Sequence, residues 1–341
     1  MKEAMFYEKK EGGLVQCHLC AFNCLIGRGK IGRCRVRKNI EGKLYSLVYD
    51  KINTKIVNPI EKKPLYHFAV GSNCFSISTV GCNWQCKFCC NWQISAAKEI
   101  EGEKITPQEI VRIAQKSNSQ GLSYTFTEPT IFYELSYETA EIAHQQGLYN
   151  TWVTNGYTNP PAIKKIAPYL DAVTVDFKGS GEKGFLKKFA NVPSAGPIYC
   201  ALLEYKKQKV HTEITDLIVP KIGDDETSLR KMIKWIKRYL GEETPIHFLR
   251  FFPTYEVLDL PATPIETLEK AYELAKKAGM KYVYLGNVEG EKNNTYCPKC
   301  NRLLIERVFM SVTRYQIKDG ACPFCGEKIN IKGEKWIKKL K

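Results

Sequence analysis

Nowhere in the 341 residues is there an apolar run approaching the roughly 18–20 residues that a helix needs to cross a bilayer. The start, MKEAMFYEKK, lacks the apolar stretch that would follow the charges of a secretory leader. A soluble, cytoplasmic protein with no membrane partner is the expectation. Acidic residues are in deficit, 36 against 51 Lys and Arg, for a formal charge of +15. Cysteines number 14, far less dense than in a disulfide-stapled miniprotein. In a reducing compartment clustered thiols point to metal rather than to disulfides. With 44% hydrophobic and 26% charged residues, whole-chain disorder is excluded and globular domains are implied.

The excess charge is uneven. Residues 28–43 carry seven basic side chains and one acid, and residues 328–341 carry six lysines and one acid. Such flanks attract an acidic protein or nucleic acid, although solvation alone also accounts for them.

Between about 75 and 288, apolar or β-branched runs alternate with helical patterns. The runs are Phe75–Val80, Leu122–Phe126, Asn150–Thr154, Ala172–Phe177, Glu213–Val219, His247–Phe252 and Lys281–Leu285. Thr106-Pro107-Gln108-Glu109 and Thr263-Pro264-Ile265-Glu266 both read as helix starts: Thr as N-cap, Pro at the first helical position, Glu three after the cap. Thr130–Gln146 should stop at Gly147, and Asp225–Leu240 at Gly241. Alternating strands and helices make βαβ units on a parallel sheet. Six βα units and a last strand fit a partial barrel or an open sheet, with chemistry at the C-terminal strand ends in either case.

The sharpest signal is CNWQCKFCCNW, residues 82–92. Cys82, Cys86 and Cys89 are spaced C-x3-C-x2-C directly after a strand. Three thiolates can hold three irons of a four-iron four-sulfur (4Fe–4S) cluster and leave the fourth open. A structural zinc ion wants four ligands; Cys90 could be the fourth, but it adjoins Cys89, and adjacent residues seldom both reach one ion. A zinc knuckle or buried free thiols is the plainer alternative. Cys297, Cys300, Cys322 and Cys325 form two CxxC knuckles 21 residues apart, suited to tetrahedral zinc, with an iron site of the same geometry as runner-up. Cys17, Cys20, Cys24 and Cys34 are spaced C-x2-C-x3-C-x9-C. Structural zinc and an auxiliary iron–sulfur cluster both fit them.

The 82–92 segment resembles the radical S-adenosylmethionine (radical SAM) enzymes. That resemblance implies a 4Fe–4S cluster on Cys82, Cys86 and Cys89. S-adenosylmethionine would bind its open iron and be cleaved reductively to a 5′-deoxyadenosyl radical that abstracts hydrogen. It also implies the fold: α/β, a partial (β/α)6 radical SAM barrel. Thr127-Glu128-Pro129 resembles the family's motif near the methionine amino group. Thr154-Asn155-Gly156 and Asp176-Phe177-Lys178 resemble the T-N-G and D-x-K of glycyl-radical (pyruvate formate-lyase) activating enzymes, and Thr215–Pro220 resembles their T-x-L-I-x-P strand. The implied cofactor-binding residues are Thr127, Glu128, Thr154, Asn155, Asp176 and Lys178. Val153 stands where some activating enzymes carry an Asp, so no cation site is expected.

CHLCAFNCLIGRGKIGRCRVR, GNVEGEKNNTYCP and the closing CxxC pair resemble, across nearly the whole chain, the radical enzyme of the AmmeMemoRadiSam group. Phe252 departs from it, standing where that group has His in Arg-Phe-His-Pro. The expected domains are a Cys-rich segment over 1–72, the barrel over 73–290, and a zinc-ribbon-like module over 291–341. The implied partners are a reductant such as ferredoxin or flavodoxin and a protein or peptide substrate, with Memo-like or AMMECR1-like proteins as candidates. RNA or a small metabolite is the alternative substrate. A non-catalytic, metal-stabilised binding protein is the alternative of another class. Cys200 is expected as a small buried hydrophobe on a helix over Pro197–Gln208. His211 and His247, at strand starts, are expected to be structural. Arg250, Tyr124, Tyr255 and Asn287 lie near strand ends as further candidates, and Trp84 and Trp92 flank the cysteine loop.

Overall fold

The computed structural model of the chain describes residues 1–337. Lys338, Lys339 and Lys341 of the C-terminal basic flank lie outside them. The centre is an eight-stranded sheet built from β1 (Thr54–Pro59), β2 (Asn73–Ser78), β3 (Gly121–Tyr124), β4 (Tyr149–Thr154), β5 (Ala172–Lys178), β6 (His211–Ile218), β7 (Ile246–Arg250) and β8 (Val283–Gly286). The strands lie side by side in sequence order. From β2 to β8 every pair is parallel, and β1 runs antiparallel to β2. Unbroken order excludes a doubly wound sheet, whose order reverses at a switch point. Crossovers of one hand then put the helices on one face. Most residues of β2 to β5 are buried, as in parallel strands covered on both sides.

Six helices of seven or more residues link the strands: α1 (Pro107–Lys116), α2 (Tyr133–Gln145), α3 (Pro160–Ile166), α4 (Gly196–Lys207), α5 (Glu226–Tyr239) and α6 (Ile265–Lys277). Thr106 caps α1 with the full capping box, and Asp225 caps α5 by accepting from Ser228 N at 2.7 Å. The repeat of the α1 signal before α6 does not cap. Thr263 is buried, and its hydroxyl donates to Ile218 O at 2.7 Å while accepting from Phe251 N at 2.9 Å. Cys200 lies on α4 as expected, but it is exposed, not buried. The buried stripe of that helix is Ile198, Ala201, Leu202 and Tyr205, and position 200 falls off this 3, 4, 7 pattern.

Short antiparallel strands from residues 2–46 pack on the sheet, and one hydrophobic cluster joins Val15, Leu19, Val36 and Leu44 to Ile77, Ile131 and Trp152. The buried Arg37–Glu134 ion pair ties this segment to α2. At the other end β9 (Thr295–Tyr296), β10 (Leu303–Val308) and β11 (Ser311–Tyr315) form a small antiparallel sheet. Arg307 fastens it by donating to Tyr66 O at 2.8 Å and lying over the Tyr66 ring. Among the described residues no helix is long and apolar enough to cross a membrane.

Candidate active site

The C-terminal end of β2 runs through Thr79 and Val80 into Gly81 and then the cysteine loop. Gly81 has φ +94°, and a Cβ there would lie 2.6 Å from a Val36 methyl and 2.8 Å from Cys34 O, so only glycine fits. The loop is held from below by Gln85 N and Lys87 N, which donate to Ala190 O and Phe189 O at 3.1 and 2.8 Å. Phe88 is buried and stacks on Phe185, with ring centres 5.3 Å apart. Trp84 is buried edge-on to Tyr157, while Trp92 stacks, half exposed, on Tyr255.

Cys82, Cys86 and Cys89 line one cavity of about 470 Å³ at the C-terminal strand ends. Thr127, Glu128, Asn155, Asp176 and Lys178 line it as well. Thr127 Oγ1 donates to Thr79 O at 2.9 Å, tying the end of β3 to that of β2. Glu128 is buried. Its Oε1 accepts from Thr154 Oγ1 at 2.7 Å and Thr130 N at 3.1 Å, and its Oε2 accepts from Asn155 N at 2.8 Å. Burial raises this carboxyl, and the donors from Thr130, Asn155 and Thr154 act against the rise. Thr154 is not part of the cavity wall, because its hydroxyl is committed to Glu128. Asn155 Nδ2 donates to Asn83 Oδ1 at 2.7 Å and so braces the cysteine loop.

Asp176 and Lys178 pair at 3.2 Å across one turn of the pleat, and Thr215 Oγ1 donates to Asp176. Burial opposes the Lys178 charge, but Asp176 and Cys86 outweigh it and hold the ammonium above its usual value. Next to them Asp216 accepts from Ser180 N and Oγ at 2.8 and 2.7 Å, and burial pushes its carboxyl up to about 6. Leu217, Leu249 and Asn287 line it too. Tyr124 is buried on Asn150 Oδ1 and Arg250 is turned to Thr263 O, so neither lines this cavity.

Sequence reasoning missed Lys63. It comes from the connection between β1 and β2, is 1% exposed, and lines the cavity. Its Nζ donates to Asn58 Oδ1 at 3.0 Å and lies 4.5 Å from the Phe126 ring centre. Burial pushes its ammonium down to about 8. The local sequence gives no signal for this, since Lys62-Lys63 reads as a solvated pair.

Residues 76–236 match the radical SAM superfamily. The chain belongs to the radical SAM superfamily. An uncharacterized protein of Methanocaldococcus jannaschii is 43% identical over 336 residues, covering 97% of this chain and 99% of that one. A second uncharacterized protein of the same archaeon is 25% identical over 289 residues, covering 79% and 76%. Streptococcus suis SuiB bound to precursor peptide SuiA has a similar fold at 10% identity, with a TM-score of 0.50 over 68% of this chain and 51% of that one. An α/β radical SAM fold with a mostly parallel central sheet thus carries the cavity, and the superfamily implies an enzyme that binds an iron–sulfur cluster and S-adenosylmethionine.

The residues present fit those groups. Trp84 and the three thiols share the cavity wall, and the buried Trp84 indole N–H finds no partner within the protein. Three thiols on one wall are the donor set that a cluster with one open iron needs, and the Lys178 ammonium shares that wall.

Two further cysteine sets flank the radical SAM sheet. Cys297, Cys300, Cys322 and Cys325 have all four thiols within 4.8 Å of one another. The Cys297–Cys325 and Cys300–Cys322 sulfurs are 3.6 and 3.7 Å apart, close to the roughly 3.8 Å that bonds of about 2.3 Å to one tetrahedral ion impose. Cys17, Cys20, Cys24 and Cys34 line a separate small cavity on the other side of the cysteine loop. Cys74 is buried, and Cys90 is exposed at the rim of the main cavity.

Proposed function

We propose that the chain is a radical SAM oxidoreductase acting on a protein or peptide, in the manner of an activating enzyme, on a partial (β/α)6 barrel. The observation that carries the reading is the shared wall: three thiols, Trp84, and the Asn155, Asp176 and Lys178 side chains around one space of about 470 Å³. Cys82, Cys86 and Cys89 hold the 4Fe–4S cluster. With S-adenosylmethionine bound, that group supplies one-electron cleavage to a 5′-deoxyadenosyl radical able to abstract hydrogen.

The chain's own residues position and shield. Lys178, fixed by Asp176, offers a cation to a carboxylate. Glu128 locks the Thr154–Asn155 turn against the end of β3, so Asn155 keeps the cysteine loop in register with the cavity. Trp84 and Phe88 exclude water from the thiol side. The C-terminal set holds zinc. Localisation to the cytoplasm agrees with cysteines that are clustered in metal-binding spacings and not paired in disulfides.

Behind the loop a second cavity of about 300 Å³ reaches Cys82 and Cys86 and carries Arg35, Lys87, Lys187 and Lys188. This basic mouth suits an acidic one-electron donor such as ferredoxin or flavodoxin. The AmmeMemoRadiSam resemblance supports a Memo-like or AMMECR1-like protein as partner. Phe252, where that group has His, is half exposed under the Arg250 guanidinium.

Anaerobic reconstitution followed by reduction with S-adenosylmethionine present is expected to yield 5′-deoxyadenosine. Alanine at Cys82, Cys86 or Cys89 is expected to abolish it. Undiminished product from those variants, read by mass spectrometry, would remove the catalytic assignment.

A further inference from the structure

The two outer four-cysteine sets differ in how tightly they close. Among the described residues, only the C-terminal set gathers three or more thiols all within 4.8 Å of one another. Cys17, Cys20, Cys24 and Cys34 nevertheless converge, because all four line a single cavity with Ile26, Arg37 and Ile131. They share one space without reaching single-ion spacing. A cube of four irons and four sulfides takes each thiolate at its own corner, so its thiolates stand further apart than those of one tetrahedral ion. Cys82, Cys86 and Cys89 show the same relation, a common cavity without single-ion spacing.

We propose that Cys17, Cys20, Cys24 and Cys34 hold a second 4Fe–4S cluster, with every iron capped by a thiolate. Having no open corner, this cluster takes no S-adenosylmethionine. Its surroundings suit a negatively charged group. Arg37, 2% exposed, donates toward Cys17 Sγ at 3.7 Å. Arg33, also in the cavity wall, donates to Asn83 O at 2.9 Å and lies over the Phe22 ring. The site adjoins the catalytic loop: Asn83, next after Cys82, forms part of its wall, and Cys34 O is the atom that excludes a side chain from Gly81. Hydrogen bonds to sulfur and nearby charge are the levers that set a cluster's potential.

The proposal stands apart from the assignment of Cys82, Cys86 and Cys89, and metal analysis of the anaerobically reconstituted full chain separates the two. The wild type is expected to hold about eight irons and eight sulfides per chain, and the triple variant C82A/C86A/C89A about four of each. Both are expected to keep one zinc. Iron that the triple variant retains in full, at about four per chain in both proteins, would support this site and sink the catalytic one. A wild type with about four irons, two zincs and no iron left in the triple variant would overturn the proposal. Mössbauer spectra of the wild type give an answer that does not depend on the variant's folding. Added S-adenosylmethionine is expected to perturb irons of one cube and leave a second cube unchanged, whereas a single cube whose irons respond to S-adenosylmethionine would overturn the proposal.

Discussion

Glu213, on β6, has its carboxylate wholly enclosed at the end of the sheet opposite the cavity. It accepts from His67 N at 2.7 Å and Tyr66 N at 3.0 Å, and it bonds the rings of His211 and His247 at 3.0 and 2.8 Å. Burial would raise this carboxyl, but the bonds from His211 and His247 prevail and hold it below its usual range. His67 is also enclosed. Its Nδ1 donates to Asn330 O at 3.0 Å, and its Nε2 accepts from Tyr284 Oη at 2.6 Å, so the neutral ring joins the sheet to the C-terminal module. Burial pushes its pKa down to about 3. The unfolded imidazole binds a proton near pH 6.5 and the folded one does not, so the unfolded state carries more protons between about pH 3 and 6.5. His67 therefore stabilises the fold above that window and loses the contribution as pH falls through it. Urea unfolding is expected to show stability falling by up to about 1.4 kcal/mol per pH unit below pH 6.5. His67→Asn is expected to flatten that slope, and an unchanged slope would exclude His67 as its source. The histidines at strand starts were legible as structural, whereas their shared carboxylate was not, because Glu213 meets His67 only across 146 residues.

Two elements show what a local pattern can decide. Thr106 and Thr263 sit in matching sequence contexts, yet only Thr106 caps a helix. The capping box needs nothing beyond its own four residues. The Thr263 hydroxyl is drawn instead into bonds with Ile218 and Phe251 near the ends of β6 and β7. Thr106→Ala is expected to lower the unfolding free energy by about 1 kcal/mol. Thr263→Val is expected to lower it by about 1–3 kcal/mol, because Ile218 O and Phe251 N then lose their partner inside the protein. Thermal or urea unfolding of both variants checks the order, and a larger loss at Thr106 would contradict it. On α4 the legible part was the helix, and the error at Cys200 came from reading apolar neighbours rather than the helical stripe.

Across the whole molecule, charge and cysteine are arranged around the sheet. Arg35 from the N-terminal flank meets Lys87, Lys187 and Lys188 at the cavity behind the cysteine loop, so a basic run far away in sequence adds to the mouth. Charge reversal there, K187E/K188E, is expected to slow 5′-deoxyadenosine formation driven by an acidic protein donor roughly 3- to 10-fold at low salt. The rate with a small chemical reductant is expected not to change, and the difference should shrink as salt screens the mouth. Equal losses with both reductants would place the defect inside the site rather than at docking.

By itself the sequence determined the parts whose signals are local. Spacing defined three cysteine sets, periodicity ordered the βα units, and Thr127-Glu128, Thr154-Asn155 and Asp176–Lys178 fell where strands end, because strand and helix periods repeat within a few residues. Only the tertiary structure decided what meets across the chain. It paired Thr54–Pro59 with β2, carried Lys63 into the cavity wall, set Cys34 against Gly81, and fixed how far apart the thiols of each set stand. Those outcomes follow from burying side chains against partners tens to hundreds of residues away, and no local spacing records that.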